Sequence, residues 1–437
     1  MPKLKVAPLE VLVRIRNSCL SFFKENFNTN SLILAIFFSL PIYINYVLLL
    51  NEAEVNFTLK ALFTFDMFLA FYYLFNKDHN WFLSGFLTGL LWFWWIGLSF
   101  RYYGMSYLVP VVSFGVAFFY GVLFLMVGKV YVFIKKLSFN YSEIYARLFL
   151  VLFFTFGFDY VSPFTFDWFK PEVLAVNSFF YISKPVLFLL FLSVAFFERL
   201  KYAVFILLFT ALLFKPSSVE KPKLDIYTAS TFVDQDKKWD RRYIPFEIKQ
   251  NFLLINKAIK NSKDAVILPE SAFPLFLNTD KELMEKLKTL SKKITVVTGA
   301  LHLKNSKFYN ATYVFENGKV QILDKHVLVP FGEYIPFPFF QKEINDIFFG
   351  GASDYATSKK FGEFKIKNYT FINAICYEAT VERLYRLNPK YVVALSNDAW
   401  FMPSIMPSLQ QMLIKIYALK HKKRVYHSIN GFKSYTL

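Results

Sequence analysis

Residues 324–333 read Asp-Lys-His-Val-Leu-Val-Pro-Phe-Gly-Glu, and the carboxyl-terminal half of the chain is organised around them. Two further stretches flank this one: Leu-Pro-Glu-Ser-Ala-Phe-Pro at 268–274 and Asn-Ala-Ile-Cys-Tyr-Glu at 373–378. In chain order the three stretches supply a carboxylate, an ammonium and a thiol. The pattern of apolar residues around them indicates the class of fold.

Apolar runs typical of buried strands precede the carboxylate Glu270, the thiol Cys376 and the amide Asn397. Strands and helices alternate in this part of the chain, which predicts a layered α/β domain. The predicted strands are 224–228, 264–269, 294–299, 309–316, 364–376 and 391–396, and the predicted helices are 246–261, 281–292 and 404–422. Because chemistry in such domains gathers beyond strand ends, we expect the three polar groups to lie close together.

The first half of the chain has a different composition. The protein has 437 residues, of which 55% are hydrophobic. Its apolar residues are concentrated before Lys215, in runs that approach the length of about 20 residues needed to cross a bilayer. These runs lie near 31–50, 58–76, 81–100, 107–128, 147–165, 178–197 and 200–215. They predict a transmembrane domain of about seven helices over residues 1–215, followed by a second domain over residues 216–437.

The distribution of basic residues indicates how the chain is oriented in a membrane and does not indicate a nucleic-acid partner. The net charge is +18, and many Lys and Arg residues flank the apolar runs, as they do on the cytoplasmic side of membrane proteins. Their distribution predicts a cytoplasmic N-terminus and, with seven spans, a periplasmic second domain in a Gram-negative inner membrane. No basic stripe with interleaved aromatic residues stands out. Cys19 and Cys376 lie in different parts of the chain, so neither a disulfide framework nor a zinc site is indicated.

Each polar group has a structural and a catalytic interpretation. Cys376 is either a small buried hydrophobe or a nucleophile at a strand-to-helix turn, where backbone N–H groups would stabilise an oxyanion. Glu270 is either a carboxylate at a helix N-terminus or a general base for the thiol. Lys325 is either a solvated lysine or a fixed ammonium that stabilises negative charge in a tetrahedral intermediate.

Four blocks of sequence carry a resemblance. They are Leu-Pro-Glu-Ser-Ala (268–272), Asp-Lys-His-Val-Leu-Val-Pro-Phe-Gly-Glu-Tyr-Ile-Pro (324–336), Ile-Cys-Tyr-Glu (375–378) and Ser-Asn-Asp-Ala-Trp-Phe (396–401). Together they resemble the carbon–nitrogen hydrolase (nitrilase) superfamily and, within it, the integral membrane family of apolipoprotein N-acyltransferases. The resemblance extends over nearly the whole chain and implies an αββα sandwich for the second domain.

The resemblance also implies roles for single residues. Cys376 matches the nucleophile, Glu270 the general base, and Lys325 the lysine that supports the tetrahedral intermediate. Further matches are Glu333 to a second essential glutamate, Tyr377 and Glu378 to the pair beside the nucleophile, and Trp239 to a tryptophan at the entrance.

The implied reaction is a ping-pong acyl transfer. The sn-1 acyl group of phosphatidylethanolamine moves to the thiol as a thioester. The α-amino group of an S-diacylglyceryl cysteine, at the N-terminus of an apolipoprotein, then attacks it. No metal or diffusible cofactor is implied.

Residues 334–355 are rich in aromatic side chains, among them Phe339 and Phe340. Two interpretations are open: a mobile aromatic lid that admits acyl chains at the membrane interface, or a loop packed on its own domain. Because the chain ends at Leu437, soon after Asn430-Gly431, we expect a hydrolase domain that is shorter at its C-terminus than is usual in the family.

Two other functions compete with acyl transfer. One is a membrane-tethered amidase of the same superfamily, in which water replaces the amine. The other is a non-catalytic membrane protein that binds lipid or lipoprotein.

Overall fold

The computed structural model describes residues 28–138, 140–163, 166–215, 219–335 and 354–437. Phe339, Phe340 and most of the predicted lid lie outside the described residues, as does Cys19. The helices of eleven or more residues before residue 216 are α1 (Thr29–Leu50), α2 (Phe57–Asn76), α3 (Trp81–Phe93), α4 (Leu108–Lys135), α5 (Ser142–Phe156), α6 (Lys184–Ala195) and α7 (Ala203–Leu213). A 3₁₀ segment, Ile96–Tyr103, follows α3.

Several of these helices begin where an Asn or Ser side chain satisfies free backbone N–H groups. The Oδ1 of Asn28 accepts hydrogen bonds from the N–H groups of Asn30 and Ser31, and Asn56 and Asn80 cap α2 and α3 in the same way. α3 and α4 cross closely because Gly85 has no side chain. A Cβ added there would lie only 2.4 Å from the carbonyl oxygen of Tyr120.

By length and composition, α1, α2 and α4 can cross a membrane. The pair formed by α3 and Ile96–Tyr103, bent by 51°, is a fourth candidate among the described residues. The remaining helices are shorter than the roughly 20 residues of a full span, since α6 has 12 residues and α7 has 11. Each of the seven predicted apolar runs therefore overlaps one of these helices, which differ in length, and the number of spans stays a prediction.

The described residues of the second part form twelve strands in two mixed sheets. They are β1 (Ile226–Thr228), β2 (Ser230–Thr231), β3 (Ala265–Ile267), β4 (Phe273–Phe276), β5 (Thr295–Lys304), β6 (Lys307–Glu316), β7 (Lys319–Asp324), β8 (Glu363–Ile366), β9 (Tyr369–Ile375), β10 (Tyr391–Asn397), β11 (Arg424–Asn430) and β12 (Tyr435–Thr436). The first sheet has the order β1-β3-β5-β6-β7, with β4 beside β5, and the second has the order β12-β11-β10-β9-β8, with β2 beside β11.

The two sheets pack face to face and helices cover both outer faces. Ile267 and Val297 of the first sheet meet Phe371 and Leu395 of the second in one buried cluster. Helices α8 (Ile244–Lys260) and α9 (Lys281–Leu290) cover the first sheet, while α10 (Met406–Lys420) covers the second and packs against the membrane part on its other side. The expected αββα sandwich is therefore confirmed.

The structure differs from the predicted elements in two respects. The run 364–376, predicted as one strand, is a hairpin of β8 and β9 that turns at Lys367, whose φ is +51°. Strands β2, β4, β7, β11 and β12 were not predicted; three of them have only two to four residues, too few to show a period.

Candidate active site

Glu270 lies in the turn that leaves β3, on the buried side of the first sheet. Its side chain is 7% exposed. The turn passes so close to β5 that a Cβ added at Gly299 would lie 2.5 Å from the backbone nitrogen of Ser271. Glycine at position 299 therefore permits the Glu270 turn to pack against the sheet.

Lys325 follows β7 directly and is completely buried. Its backbone N–H donates to the carbonyl oxygen of Asn310 at 2.8 Å. Its ammonium Nζ lies 2.7 Å from Oε2 of Glu333, and that same oxygen accepts a hydrogen bond from the N–H of Val329. The Pro-Phe-Gly-Glu turn thus folds back so that Glu333 pairs with the lysine eight positions earlier.

Asn310, on β6, joins the two carboxylates. Its Nδ2 donates to Oε1 of Glu270 at 2.7 Å and to Oε1 of Glu333 at 3.0 Å. The second oxygen of Glu270 accepts the backbone N–H of Asn397 at 2.8 Å. Glu270 is therefore oriented from both sheets.

Cys376 stands at the end of β9 and begins the 3₁₀ turn Cys376–Thr380. Its φ is +53°, in the left-handed region that a non-glycine residue rarely adopts. The thiol is partly buried, and it lies close enough to Glu270 for the charge of that carboxylate to raise its pKa. A candidate nucleophile and a candidate base are thus neighbours in the same site.

Glu378 is buried within the same turn, and its role differs from that of Glu333, which pairs with Lys325. Its carboxylate accepts three backbone hydrogen bonds, from the N–H groups of His326, Val327 and Ile375, at 2.7 to 3.0 Å. It therefore ties the backbone beside Lys325 to the backbone beside Cys376. Burial raises the pKa of Glu378 to about 7.

The electrostatics of the site favour a neutral thiol at rest. Burial raises the pKa of Cys376 well above its ordinary value, and the charge of Glu270 raises it further. Burial also raises the pKa of Glu270. Burial alone would lower the pKa of Lys325, but the carboxylates of Glu333 and Glu270 outweigh it and raise this pKa above its ordinary value. The arrangement thus combines a cation, a carboxylate with increased proton affinity and a thiol that keeps its proton until a base removes it.

Comparison with known proteins identifies the family. The family model for the apolipoprotein N-acyltransferase integral membrane domain matches residues 25–217. Over the whole chain, the apolipoprotein N-acyltransferase of Wolinella succinogenes is 38% identical, across 91% of this chain and 92% of its own length. This chain belongs to the apolipoprotein N-acyltransferase family. The corresponding protein of Campylobacter jejuni is 36% identical, across 94% of this chain and 91% of its own length, and that of Helicobacter pylori is 35% identical, across 94% and 96%.

Membership of the apolipoprotein N-acyltransferase family confirms the predicted activity, an integral membrane acyltransferase of lipoprotein maturation. A solved structure, the nitrilase-superfamily protein Nit3 of Saccharomyces cerevisiae, aligns with 49% of this chain and 79% of its own, at 16% identity and a TM-score of 0.37.

The structure brings most of the predicted site residues together. Glu270, Lys325, Cys376, Glu333 and Glu378 share one cluster, and Tyr377 lies against the membrane part. Trp239 is different: it is 39% exposed, and no hydrogen bond or ring contact in the described part of the chain joins it to Glu270, Lys325 or Cys376. Its predicted place at an entrance stays a prediction.

Asn310 and Asp398 are site residues that the sequence analysis missed. Asn310 lies within an apolar strand, and a polar side chain among buried strand neighbours was the available signal. Asp398 follows Asn397 and is completely buried near Glu270. Among the described residues, no group of three or more His, Cys, Asp or Glu side chains is arranged to hold a metal ion.

Proposed function

We propose that Cys376 carries the acyl group between a membrane phospholipid and the N-terminal amine of an S-diacylglyceryl apolipoprotein. The observation that supports this role is the clustering of three groups: the Cys376 thiol at the turn beyond β9, the buried Glu270 carboxylate and the buried ammonium of Lys325. In this family the phospholipid would be of the phosphatidylethanolamine type, with its sn-1 chain transferred.

In the first half-reaction, Glu270 takes the proton of the thiol as sulfur attacks the ester carbonyl. The oxyanion that forms is stabilised by the ammonium of Lys325, which Glu333 holds in place. The bond from the carbonyl carbon to the glycerol oxygen then breaks. Glu270 returns the proton to that oxygen, so lysophospholipid leaves and a thioester remains.

In the second half-reaction, the α-amino group of the diacylglyceryl cysteine attacks the thioester carbonyl. Glu270 accepts a proton from the amine, the carbon–sulfur bond breaks, and the proton passes to the departing thiolate. An amide is formed and the enzyme returns to its resting state.

Contacts with the membrane part support a lipid donor. The rings of Phe166 and Trp168 stack near Tyr377, the residue after the nucleophile, at centroid distances of 6.2 and 6.5 Å. The Tyr102 hydroxyl donates to the carbonyl oxygen of Ala399 at 3.2 Å. The site thus adjoins the helices that would sit in the bilayer.

Intact-mass measurement of the purified protein, incubated with phosphatidylethanolamine, tests the nucleophile. We expect a hydroxylamine-labile adduct of one acyl chain, which is absent in Cys376→Ala. A diacylated lipopeptide should then remove the adduct and gain an acyl chain on its amine.

Other outcomes of the same experiment favour the competing functions. Release of the chain only as free fatty acid would indicate the tethered amidase. Absence of any adduct, with phosphatidylethanolamine still bound, would indicate a lipid-binding protein and would contradict the proposal.

We infer that the hydrolase domain is periplasmic. The guanidinium of Arg147 donates to Phe75 O, Asn76 Oδ1 and Ala195 O, so the ends of α2, α5 and α6 meet at one basic face. The opposite ends of the membrane helices face the sheets, as shown by the contact of Lys433 with Leu50 O at the end of α1. Basic residues mark the cytoplasmic side.

A membrane-impermeant maleimide distinguishes the two orientations in intact cells. It should label a cysteine placed at exposed Asn317, in the hydrolase domain, and leave one at exposed Lys136 unlabelled. The reverse pattern would place the hydrolase domain in the cytoplasm.

A further inference from the structure

A hydrogen-bonded chain runs from the membrane part into the turn that carries the nucleophile. The indole Nε1–H of Trp168 donates to Oγ1 of Thr380 at 2.8 Å, and the hydroxyl of Thr380 donates to the carbonyl oxygen of Tyr377 at 2.7 Å. An indole nitrogen only donates and a hydroxyl has a single proton, so the direction of both bonds is fixed. Trp168 and Thr380 are almost completely buried.

Ring contacts reinforce this chain. Phe166 and Trp168 stack at 5.2 Å, and both lie nearly parallel to Tyr377, with interplanar angles of 10° and 20°. Tyr377 is therefore held through its ring as well as through its carbonyl group. It is bonded directly to Cys376, so any shift of Tyr377 moves the thiol.

The backbone of Cys376 needs such support. Its left-handed conformation persists only where the surroundings fix it. Glu378 supplies restraint from within the hydrolase domain, through its three backbone hydrogen bonds. Trp168 supplies restraint from outside that domain.

Trp168 is itself fixed in the membrane part. Its indole packs against that of Trp95 at 5.4 Å. Two residues further on, the buried ammonium of Lys170 lies 3.4 Å from Asp159 and 3.3 Å from Asp167. Asp159 also pairs with Lys184 at 2.9 Å. The segment that presents Trp168 is thus held by charge pairs and ring packing.

We propose that Trp168 is a positioning residue for acyl transfer. It holds the turn Cys376–Thr380, through Thr380 and Tyr377, so that the thiol meets both Glu270 and the incoming carbonyl group. This inference rests on the proposed role of Cys376. It also makes correct catalytic geometry depend on the docking of the hydrolase domain onto the membrane part.

The test compares two identical substitutions in the full-length protein. Trp168→Phe keeps a ring in the stack and removes the N–H donor. Trp92→Phe is the matched control, because Trp92 is equally buried and its Nε1 donates to Phe38 O at 3.0 Å within the membrane part. We expect Trp168→Phe to slow formation of the Cys376 thioester roughly tenfold, the effect of losing one hydrogen bond, with KM for phosphatidylethanolamine little changed. Trp92→Phe should stay within about twofold of the wild-type rate while its Tm falls.

Substitutions at Thr380 show whether the effect passes through the hydroxyl. Thr380→Val should slow the reaction as Trp168→Phe does, and the double variant should be no slower than either single one. Thr380→Ser keeps the hydroxyl and should restore most of the rate. Equal slowing by Trp92→Phe and Trp168→Phe, or an unchanged rate in Trp168→Phe, would overturn the positioning role.

The two proposals fail in distinguishable ways. If Cys376→Ala still forms the labile adduct, the nucleophile assignment is wrong whatever Trp168 does. If Cys376→Ala abolishes the adduct and Trp168→Phe forms it at the wild-type rate, only the positioning role is lost.

Discussion

The two halves of the site are held in different ways. Glu270, Lys325 and Glu333 lie beyond strands of the first sheet, and Asn310 and backbone groups of the hydrolase domain fix them. Cys376 and Asp398 lie beyond strands of the second sheet, in turns that the membrane part contacts directly. Among the described residues, the hydrogen bonds that fix the half with the charges come from the hydrolase domain, whereas hydrogen bonds from both parts reach the half with the nucleophile.

The outer helices show the same contrast. α8 buries one side, including Phe252 and Ile255, and exposes Phe246 and Leu253 on the other. α10 is buried on nearly every side, because the second sheet covers one face and the membrane helices the other. Polar residues of α10 therefore make contacts across the junction, such as the hydroxyl of Ser408 with Ile42 O at 2.7 Å. The membrane part thus covers the face of α10 that would otherwise be exposed to solvent.

The largest effect should come from the charged half. Lys325→Met removes the buried cation and leaves the carboxylates of Glu270 and Glu333 joined through Asn310 without a counter-charge. We expect thioester formation to fall roughly 10²–10³-fold, as when a donor to an oxyanion is removed. A rapid-quench assay of acyl-enzyme formation measures it. A loss below about fivefold would show that Lys325 does not stabilise the intermediate.

Asn310→Ala should have the next largest effect. It leaves two buried carboxylate oxygens without a donor, and hydrogen bonds to charged groups are worth about 1.5–3 kcal/mol, so we expect a roughly ten- to hundredfold slower reaction. The donor from Asn310 lowers the pKa of Glu270, so its loss raises that pKa. Because Glu270 must be ionised to accept the thiol proton, the acidic limb of the rate profile should move to higher pH. Asn310→Gln, which keeps an amide, serves as the comparison, and an unshifted limb in Asn310→Ala would contradict the role of Asn310.

Part of each half was predictable from sequence, since Glu270 and Cys376 each follow an apolar strand and chemistry gathers at strand ends. Asn310 was not, because it lies inside β6 and becomes functional only when β7 and the turn to Glu333 fold beside it. The hairpin at Lys367 was missed because apolar residues recur through 364–376 on both sides of Lys367-Asn368, and no glycine or proline marks the turn.

The contacts between the nucleophile's half and the membrane part could not be predicted, because they join residues that are far apart in the sequence. Trp168 and Thr380 are separated by 212 positions, and no local pattern predicts that an indole in one part meets a hydroxyl in the other. For the same reason α10 resembles an ordinary amphipathic helix in sequence, although its second face is buried against α1.

Substitution of Asn45 should weaken the contact between the membrane part and α10 without changing Glu270, Lys325 or Glu333. Its amide donates to Ser408 Oγ at 3.0 Å and to Gln411 Oε1 at 3.3 Å, and it accepts from Asn177 Nδ2 at 3.0 Å. Asn45→Ala leaves buried partners unpaired, and we expect it to lower the free energy of unfolding by about 1–3 kcal/mol. Asn30→Ala, which removes a more exposed bond to Asp78 O, should change it by less than about 0.5 kcal/mol. Thermal unfolding in detergent measures both, and equal effects would show that the junction contributes little to stability.

The smallest effect on activity is expected at Asp398, in the turn that Tyr102 contacts. Burial raises the pKa of Asp398 well above its ordinary value, and the negative charge of Glu270 raises it further, so the site favours the neutral, protonated side chain. Asn has nearly the same shape, and Asp398→Asn should retain activity within about threefold of the wild-type level.

The stability of Asp398→Asn should nevertheless differ from wild type in a defined direction with pH. Above the unfolded-state pKa of about 4, unfolding of the wild-type protein releases the proton of Asp398, so its stability falls as pH rises towards the folded-state pKa. The amide has no proton to release, so the variant should gain stability relative to wild type as pH rises above about 4. A hundredfold loss of activity, or a relative stability that does not change with pH, would mean that Asp398 is ionised. The nucleophile's half would then also carry a charge, and Lys325 would have to balance Asp398 in addition to Glu270 and Glu333.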